Sequence, residues 1–325
     1  MAVKRVIYGF LLVVMALGLG FLLGPRETVN TRVSFDPARI GSDPDAYLAA
    51  GEAQVAGIRD GLQKEIIWAY PNSKAKTKLA IVYVHGFSAS KGEIRPVPDK
   101  LAAALGANLY YTRLTGHGQN GPAMAVATVN DWVNDFAEAM AIGRMIGEKV
   151  IIIATSTGAG LATWAAAQPE LSNDVAAMVF VSPNYGVQAS GSFLLTMPWG
   201  RQLANLLIGP EREFTPANEL HGKFWTPKYP TNAVLPMAAL TKLARDVMVE
   251  NIKIPTLFVF AETDKVVRPD LTKERIQRWG AKTETLVVEK PDDPYQHVVA
   301  GDALSPSKTE EVTAKAMEFI QSLGL

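Results

Sequence analysis

A serine, an aspartate and a histidine occur in the order and context that nucleophilic catalysis requires. Ser156 lies in the segment ATSTG, directly between an Ile/Val-rich run and a helical segment. Asp264 and His297 come later, each shortly after an apolar run. A serine hydroxyl is a poor nucleophile unless a base lies within hydrogen-bonding distance, and the base needs an acid that orients it. These residues therefore predict acyl transfer with Ser156 as nucleophile, His297 as base and Asp264 as orienting acid.

The turn around Ser156 has the small residues that a sharp strand-to-helix turn needs. Ala154 and Gly158 flank the serine, so the backbone can close against its neighbours. The N-terminus of the following helix also offers free N–H groups to a developing negative charge. The alternative is that Ser156 is an ordinary N-cap at a strand–helix turn. The segment alone leaves this alternative open.

A second segment, VHGF at residues 84–87, ends an apolar run and precedes a polar loop. Gly86 permits close approach of the backbone to a substrate. We expect the backbone N–H groups of Phe87 and Thr157 to form an oxyanion hole. His85 is expected to hydrogen-bond within the loop and not to transfer protons.

The apolar runs also position these residues. They alternate with amphipathic segments from residue 65 to the C-terminus, and they are apolar throughout, which predicts a mostly parallel sheet covered by helices on both faces. Glu262 ends its run and competes with Asp264 as the acid, but its position at the strand end favours Asp264. The last helix is expected from about Ser307 to Leu323, with Ser307 and Glu310 spaced as a capping box.

Residues 186–252 break this alternation. They contain helical pieces and many bulky apolar side chains but no obvious strand. We expect a helical cap over the carboxyl edge of the sheet, which is where open α/β sheets bind ligands. Trp199 and Trp225 in this segment are the predicted substrate-binding residues.

Composition excludes several functional classes. Lys+Arg and Asp+Glu are balanced at 32 each, so the chain lacks the basic footprint of a nucleic-acid-binding protein. It has no cysteine, which excludes disulfides, thiolate zinc sites and a cysteine nucleophile. The four histidines lack the spacing of metal ligands, so we expect neither a metal nor a cofactor. The oligomeric state stays open.

The N-terminus departs from a soluble composition. Residues 6–24 carry no charge, follow Lys4 and Arg5, and are about long enough to cross the ~30 Å hydrocarbon core of a membrane. We expect a transmembrane anchor in residues 1–24, a linker and helix over 25–64, and a catalytic domain over 65–325. The preceding cations favour a cytoplasmic N-terminus, which places the catalytic domain on the non-cytoplasmic side. The alternative is a signal peptide whose cleavage yields a secreted protein, although no small-residue cleavage site follows.

With these residues placed, the sequence from about residue 65 onward resembles the α/β-hydrolase superfamily. It is similar to the monoacylglycerol lipase / serine aminopeptidase-like branch in the segment RLTGHG at 113–118, which is followed by Asp131-Trp132 and Asp135. The resemblance implies the α/β-hydrolase fold with a cap, a cofactor-free Ser156–Asp264–His297 triad, an oxyanion hole at Phe87 and Thr157, and a loop-organising role for His117. Three residues depart from the branch pattern: Ala154, Ala261 and Val298.

The resemblance also implies cleavage of a carboxylic ester through an acyl-enzyme. The apolar cap and the membrane tether favour a lipophilic small-molecule ester or lipid, as in a carboxylesterase, lysophospholipase or monoacylglycerol lipase. One alternative is a serine peptidase or amidase on the same triad, for which Glu93 and Glu213 are candidates to bind a free amine. Another is a non-catalytic, membrane-anchored binding protein on this fold. Haloalkane dehalogenases and epoxide hydrolases need aspartate at position 156 and are excluded.

Overall fold

Seven of the nine strands form one sheet in the computed structural model, which describes residues 2–325, with side chains from Lys4 onward. The strands are β1 (Glu65–Ile67), β2 (Thr77–Val84), β3 (Asn108–Tyr111), β4 (Gly147–Thr155), β5 (Val175–Val181), β6 (Glu211–Glu213), β7 (Lys228–Pro230), β8 (Thr256–Phe260) and β9 (Thr283–Val287). The sheet order is β1-β3-β2-β4-β5-β8-β9, and every neighbouring pair is parallel except β1–β3. The predicted α/β class is confirmed.

Helices connect the parallel strands and cover both faces of the sheet. The α-helices are α1 (Ala2–Leu22), α2 (Pro44–Ala53), α3 (Val97–Leu105), α4 (Gly121–Met124), α5 (Val129–Ile146), α6 (Thr157–Ala166), α7 (Pro169–Ser172), α8 (Gly200–Ile208), α9 (Glu219–Phe224), α10 (Val234–Asp246), α11 (Pro269–Arg278) and α12 (Thr309–Ser322). Short 3-10 helices span Pro37–Ile40, Ser192–Thr196, Thr231–Ala233, Val249–Asn251 and Pro306–Lys308.

The central strands of the sheet are mainly apolar because both faces of the sheet are buried there. Successive residues of a strand point to opposite faces, and in β4 Ile152 joins the cluster beneath α5 and α6, whereas Ile151 and Ile153 join the cluster beneath α3 and α12. Each cluster removes a continuous apolar surface from water, which is the main favourable contribution to folding.

Two details of the predicted elements are wrong. The segment between β5 and β8 contains α8, α9 and α10 but also a small antiparallel ribbon, in which Arg212 of β6 lies opposite Tyr229 of β7. The ribbon escapes the apolar pattern because β6 is exposed. The predicted capping box at Ser307 is also absent, because α12 begins at Thr309 and the Ser307 hydroxyl donates to Asp292 instead.

The N-terminal helix stands apart from this body. The apolar side chains of α1 are exposed along its length, and Lys4–Leu22 is long and apolar enough to cross a membrane, a property that signal sequences share. The predicted segment 1–24 also includes Met1, which lies outside the described residues. The linker then runs along α5, where the backbone N–H groups of Ser34 and Phe35 donate to Asn134 at 2.7 and 2.8 Å.

Candidate active site

Ser156 lies in a sharp turn between β4 and α6. Its backbone adopts φ 51° and ψ −116°, a conformation that L-residues rarely occupy and that is common at functional sites. A side chain at Gly158 would collide with the carbonyl oxygens of Val84 and His85, so only glycine fits where α6 starts against the end of β2. Ala154 is accommodated because its methyl group points into the core beneath α5 and α6.

The loops after β8 and β9 bring Asp264 and His297 to this turn. His297 Nε2 lies 3.1 Å from the Ser156 hydroxyl oxygen, and His297 Nδ1 lies 2.8 Å from Asp264 Oδ2. Asp264 Oδ1 accepts the N–H groups of Val266 and Val267 at 2.7 and 2.8 Å, which orients the other oxygen toward the imidazole. Glu262, the competing acid, points away and pairs with Lys273 at 2.7 Å.

The N–H groups of Phe87 and Thr157 follow β2 and Ser156, respectively. Within residues 2–325 neither of them donates to another group. The ring of Phe87 packs edge-on against Tyr229 of the ribbon, 5.4 Å between centroids, and the Thr157 hydroxyl accepts from Asn184 at 3.3 Å. Both N–H groups are therefore free to bind an anionic oxygen, and their side chains are held by neighbours.

His85 and His117 organise the neighbouring loops. His85 Nε2 accepts the Leu114 N–H at 3.1 Å, so its Nδ1 is the protonated nitrogen and donates to the Gly86 carbonyl at 2.9 Å. His117 packs against this ring, 5.0 Å between centroids. Burial lowers the pKa of both imidazoles, that of His117 to about 4, so both are neutral.

The electrostatics of the site favour a charged imidazole at His297. Burial by itself lowers the pKa of His297, but the charge and hydrogen bond of Asp264, together with Glu93 and Asp293, outweigh burial and raise it. Sequence reasoning missed Asp293, whose Oδ2 accepts the N–H groups of His297 and Val298, both at 2.9 Å. Its position in an Asp-Pro turn just before the histidine was the one available signal.

The other predicted substrate-binding and amine-binding residues make contacts with the protein itself. The Trp199 indole donates to the Gly20 carbonyl at the end of α1, and Trp225 is buried in the core, edge-on to His221. Glu213 is exposed and lies near Lys228, whereas Glu93 is buried beside Gly86. Residues 2–325 contain no group of three His, Cys, Asp or Glu side chains placed to hold a metal ion.

Solved structures share this fold. One of the metagenome-derived lipolytic enzymes LipS and LipT superposes with a TM-score of 0.66 at 20% identity, covering 82% of this chain and 99% of that one. The monoacylglycerol lipase of Paleococcus ferrophilus gives 0.58 at 14% identity over 81% and 99% of the two chains. A soluble variant of monoglyceride lipase from Saccharomyces cerevisiae, in complex with a substrate analog, gives 0.58 at 11% over 83% and 97%.

Comparison of the sequence with known proteins gives one match, to a family. No curated protein sequence matches the chain. The sequence profile of the family described as serine aminopeptidase, S33 matches residues 75–290, which contain Ser156 and Asp264 and end just before His297. With the α/β-hydrolase sheet order and the turn at Ser156, this match identifies the chain as a hydrolase that belongs to the serine aminopeptidase, S33 family of the α/β-hydrolase superfamily.

Proposed function

We propose that this protein is a serine esterase in which Ser156, His297 and Asp264 form the catalytic triad. The observation that carries the proposal is the continuous hydrogen-bonded chain from the Ser156 hydroxyl through both nitrogens of His297 to Asp264, at 3.1 and 2.8 Å. A nucleophile, a base and an orienting acid in this arrangement are the common elements of acyl-transfer sites. A non-catalytic binding protein would not need the strained turn at Ser156.

The reaction then proceeds in two steps without a cofactor. His297 Nε2 takes the Ser156 proton as the oxygen attacks the ester carbonyl, and the Phe87 and Thr157 N–H groups stabilise the oxyanion. The protonated His297 gives its proton to the leaving alcohol, and an acyl-enzyme remains. Water then attacks the acyl group while His297 again serves as base, which releases the carboxylic acid and restores Ser156.

The surroundings of the triad favour an ester over a peptide with a free amine. Neither carboxylate proposed to bind an amine supports that role. Glu93 accepts hydrogen bonds from Tyr83 and Gly86, and Glu213 is exposed near Lys228. The relatives with this fold include lipolytic enzymes and monoacylglycerol lipases, which supports a lipophilic ester. The family description names an aminopeptidase, so peptide or amide cleavage is the second candidate.

We further propose that residues 186–252 act as a cap on the catalytic domain over residues 65–325. The segment is hydrogen-bonded onto the loop that carries Phe87: the Thr226 N–H donates to the Ser88 carbonyl, and the Ser90 hydroxyl donates to the Phe224 carbonyl, both at 2.8 Å. Ser156 and His297 are only 6% and 9% exposed, as a covered site requires.

We also propose that α1 anchors the protein in a membrane, which the same segment supports, and that the catalytic domain lies on the non-cytoplasmic side because Lys4 and Arg5 precede α1. Trp199 donates its backbone N–H to Pro25 at 2.7 Å, next to the end of α1, and tryptophan is enriched at membrane–water interfaces. Several apolar side chains close to it in the chain are exposed: Phe193, Leu206, Leu207 and Ile208. This arrangement would place the cap beside the lipid that supplies the substrate.

A fluorophosphonate probe tests the triad because it reacts with activated serines. We expect labelling of the wild type and none of Ser156→Ala, and a matched Ser190→Ala substitution in an exposed loop should label like the wild type. Equal labelling of Ser156→Ala and wild type would contradict the proposal.

Substrate panels separate the two candidate reactions. We expect kcat/KM for p-nitrophenyl esters to rise with acyl chain length, with no cleavage of aminoacyl anilides. Faster cleavage of the anilides would assign the chain to the peptidases instead.

Membrane fractionation with carbonate washing tests the anchor. We expect the full chain to stay in the membrane pellet, and release into the soluble fraction would refute anchoring. A chain that begins after residue 24 would indicate a cleaved signal peptide.

A further inference from the structure

Glu93 is a buried carboxyl group beside the triad for which the two-step reaction assigns no role. It follows β2 in the loop that carries Phe87, and it is 2% exposed. Among the described residues no lysine or arginine pairs with it, and the cationic group that acts on its charge is His297. Burying a carboxylate without a paired cation costs free energy, so hydrogen bonds must stabilise Glu93 in this position.

Those contacts connect the two strands that present the active-site backbone. Glu93 Oε2 accepts the Gly86 N–H at 2.7 Å and the Tyr83 hydroxyl at 2.8 Å. The Tyr83 hydroxyl oxygen also lies 3.2 Å from that of Thr155, the residue before Ser156. One carboxyl group therefore links the end of β2 to the end of β4.

The second oxygen of Glu93 lies against Gly86, as the nucleophile does. A Cβ atom built on Gly86 would lie 2.6 Å from Glu93 Oε1 and 3.1 Å from the Ser156 Cβ, so the carboxyl group and the serine flank the same glycine. Gly86 is joined by one peptide bond to Phe87, whose N–H is the first donor of the proposed oxyanion hole. Any rotation of the backbone at Gly86 would move that donor.

We propose that Glu93 is a positioning residue for the hydrolytic reaction, which fixes the His85–Gly86 peptide beside Ser156 and so holds the adjoining backbone that carries the Phe87 N–H. The inference rests on the proposed serine-hydrolase function. It concerns the placement of the oxyanion donor and the state of the base, and it adds no bond-making step.

The charge of Glu93 also acts on His297. Burial raises the pKa of Glu93 to about 7, and a charged Glu93 in turn raises the pKa of His297. The ionised carboxyl group favours the imidazolium form, so a higher pH is needed before His297 can accept the Ser156 proton. A neutral side chain at position 93 lets His297 stay unprotonated to a lower pH.

Two substitutions in the full chain separate these roles. Glu93→Gln keeps an amide oxygen for both donors but removes the charge, so we expect the acid limb of kcat/KM to move to lower pH by at least about 0.5 unit, with kcat at its plateau little changed. Glu93→Ala leaves the Gly86 N–H unheld, so we expect kcat to fall roughly ten- to hundredfold with a smaller change in KM. All rates are normalised to active sites titrated with a fluorophosphonate.

Glu138→Gln is the matched control. Glu138 is also buried, at 8% exposure, and accepts a tyrosine hydroxyl, that of Tyr47 at 2.8 Å, but lies on α5 away from the triad. We expect its pH profile to equal that of the wild type. The inference is overturned if Glu93→Gln leaves the acid limb unmoved, or if Glu93→Ala has wild-type kcat per titrated site. Failure of the wild type to react with the probe would instead contradict the triad itself.

Discussion

Asp293 holds the backbone of His297 in place. Its Oδ2 accepts the N–H groups of His297 and Val298 at 2.9 Å each, and its Oδ1 accepts that of Tyr295 at 3.0 Å. The carboxyl group is itself buried, and its own N–H donates to Ser305. The loop that carries the proposed base is therefore built around a buried carboxylate.

We expect Asp293→Ala to lower kcat by roughly ten- to hundredfold, because a loop free to shift moves the imidazole away from Ser156. Unpaired buried N–H groups should also lower the free energy of unfolding by about 1–3 kcal/mol each. Steady-state kinetics and urea unfolding measure the two effects. Asp292→Ala removes the same charge from an exposed neighbouring position, and equal effects from both substitutions would show that Asp293 has no special role.

Asp264→Asn should reduce kcat by about 10³–10⁴-fold. Asp264 Oδ1 is committed to the N–H groups of Val266 and Val267, so an asparagine that keeps these bonds presents its amide to His297 Nδ1. That amide donates, which forces the imidazole into the tautomer whose Nε2 carries a proton and cannot accept one from Ser156. Glu262→Gln is the control, and a loss of the same size there would exchange the roles of the two acids.

The pH dependence of kcat/KM should report the raised pKa of His297. The reaction needs the neutral imidazole, so activity is lost as the pH falls through this pKa, and the midpoint of the acid limb should lie above the ordinary value of 6.5. Initial rates with a soluble p-nitrophenyl ester between about pH 5 and 9 measure it. A midpoint below 6.5 would mean that burial of the imidazole outweighs the surrounding carboxylates.

Gly158→Ala should destabilise the turn at Ser156 by about 1–3 kcal/mol, since the new methyl group meets the carbonyl oxygens of Val84 and His85 and the backbone has to shift. Gly51→Ala in α2 is the control, because no atom lies within 4 Å of its added Cβ and alanine favours helices. Thermal unfolding and probe labelling compare the two. Equal stability would show that the turn has room for a side chain.

Local sequence patterns were sufficient to predict which three residues come together at the site. Each of the three proposed catalytic residues follows an apolar run, and the carboxyl ends of parallel strands meet at one edge, so the order Ser156, Asp264, His297 predicted their convergence. The ribbon in the segment 186–252 was harder to predict from sequence. The strands β6 and β7 are three residues each, and an exposed strand carries no apolar pattern.

The sequence by itself determined the fold class, the family and the strand ends at which chemistry is possible, because burial on both faces makes the central strands continuous apolar runs. Only the tertiary structure decided which carboxyl groups act on His297. Asp264 binds the imidazole, Asp293 binds the backbone of His297, and the charge of Glu93 acts on the ring from a third loop, whereas Glu262, two residues before Asp264, turns away to Lys273. For Asp264 and Glu93 this placement depends on the packing of distant segments, which leaves no local pattern in the chain.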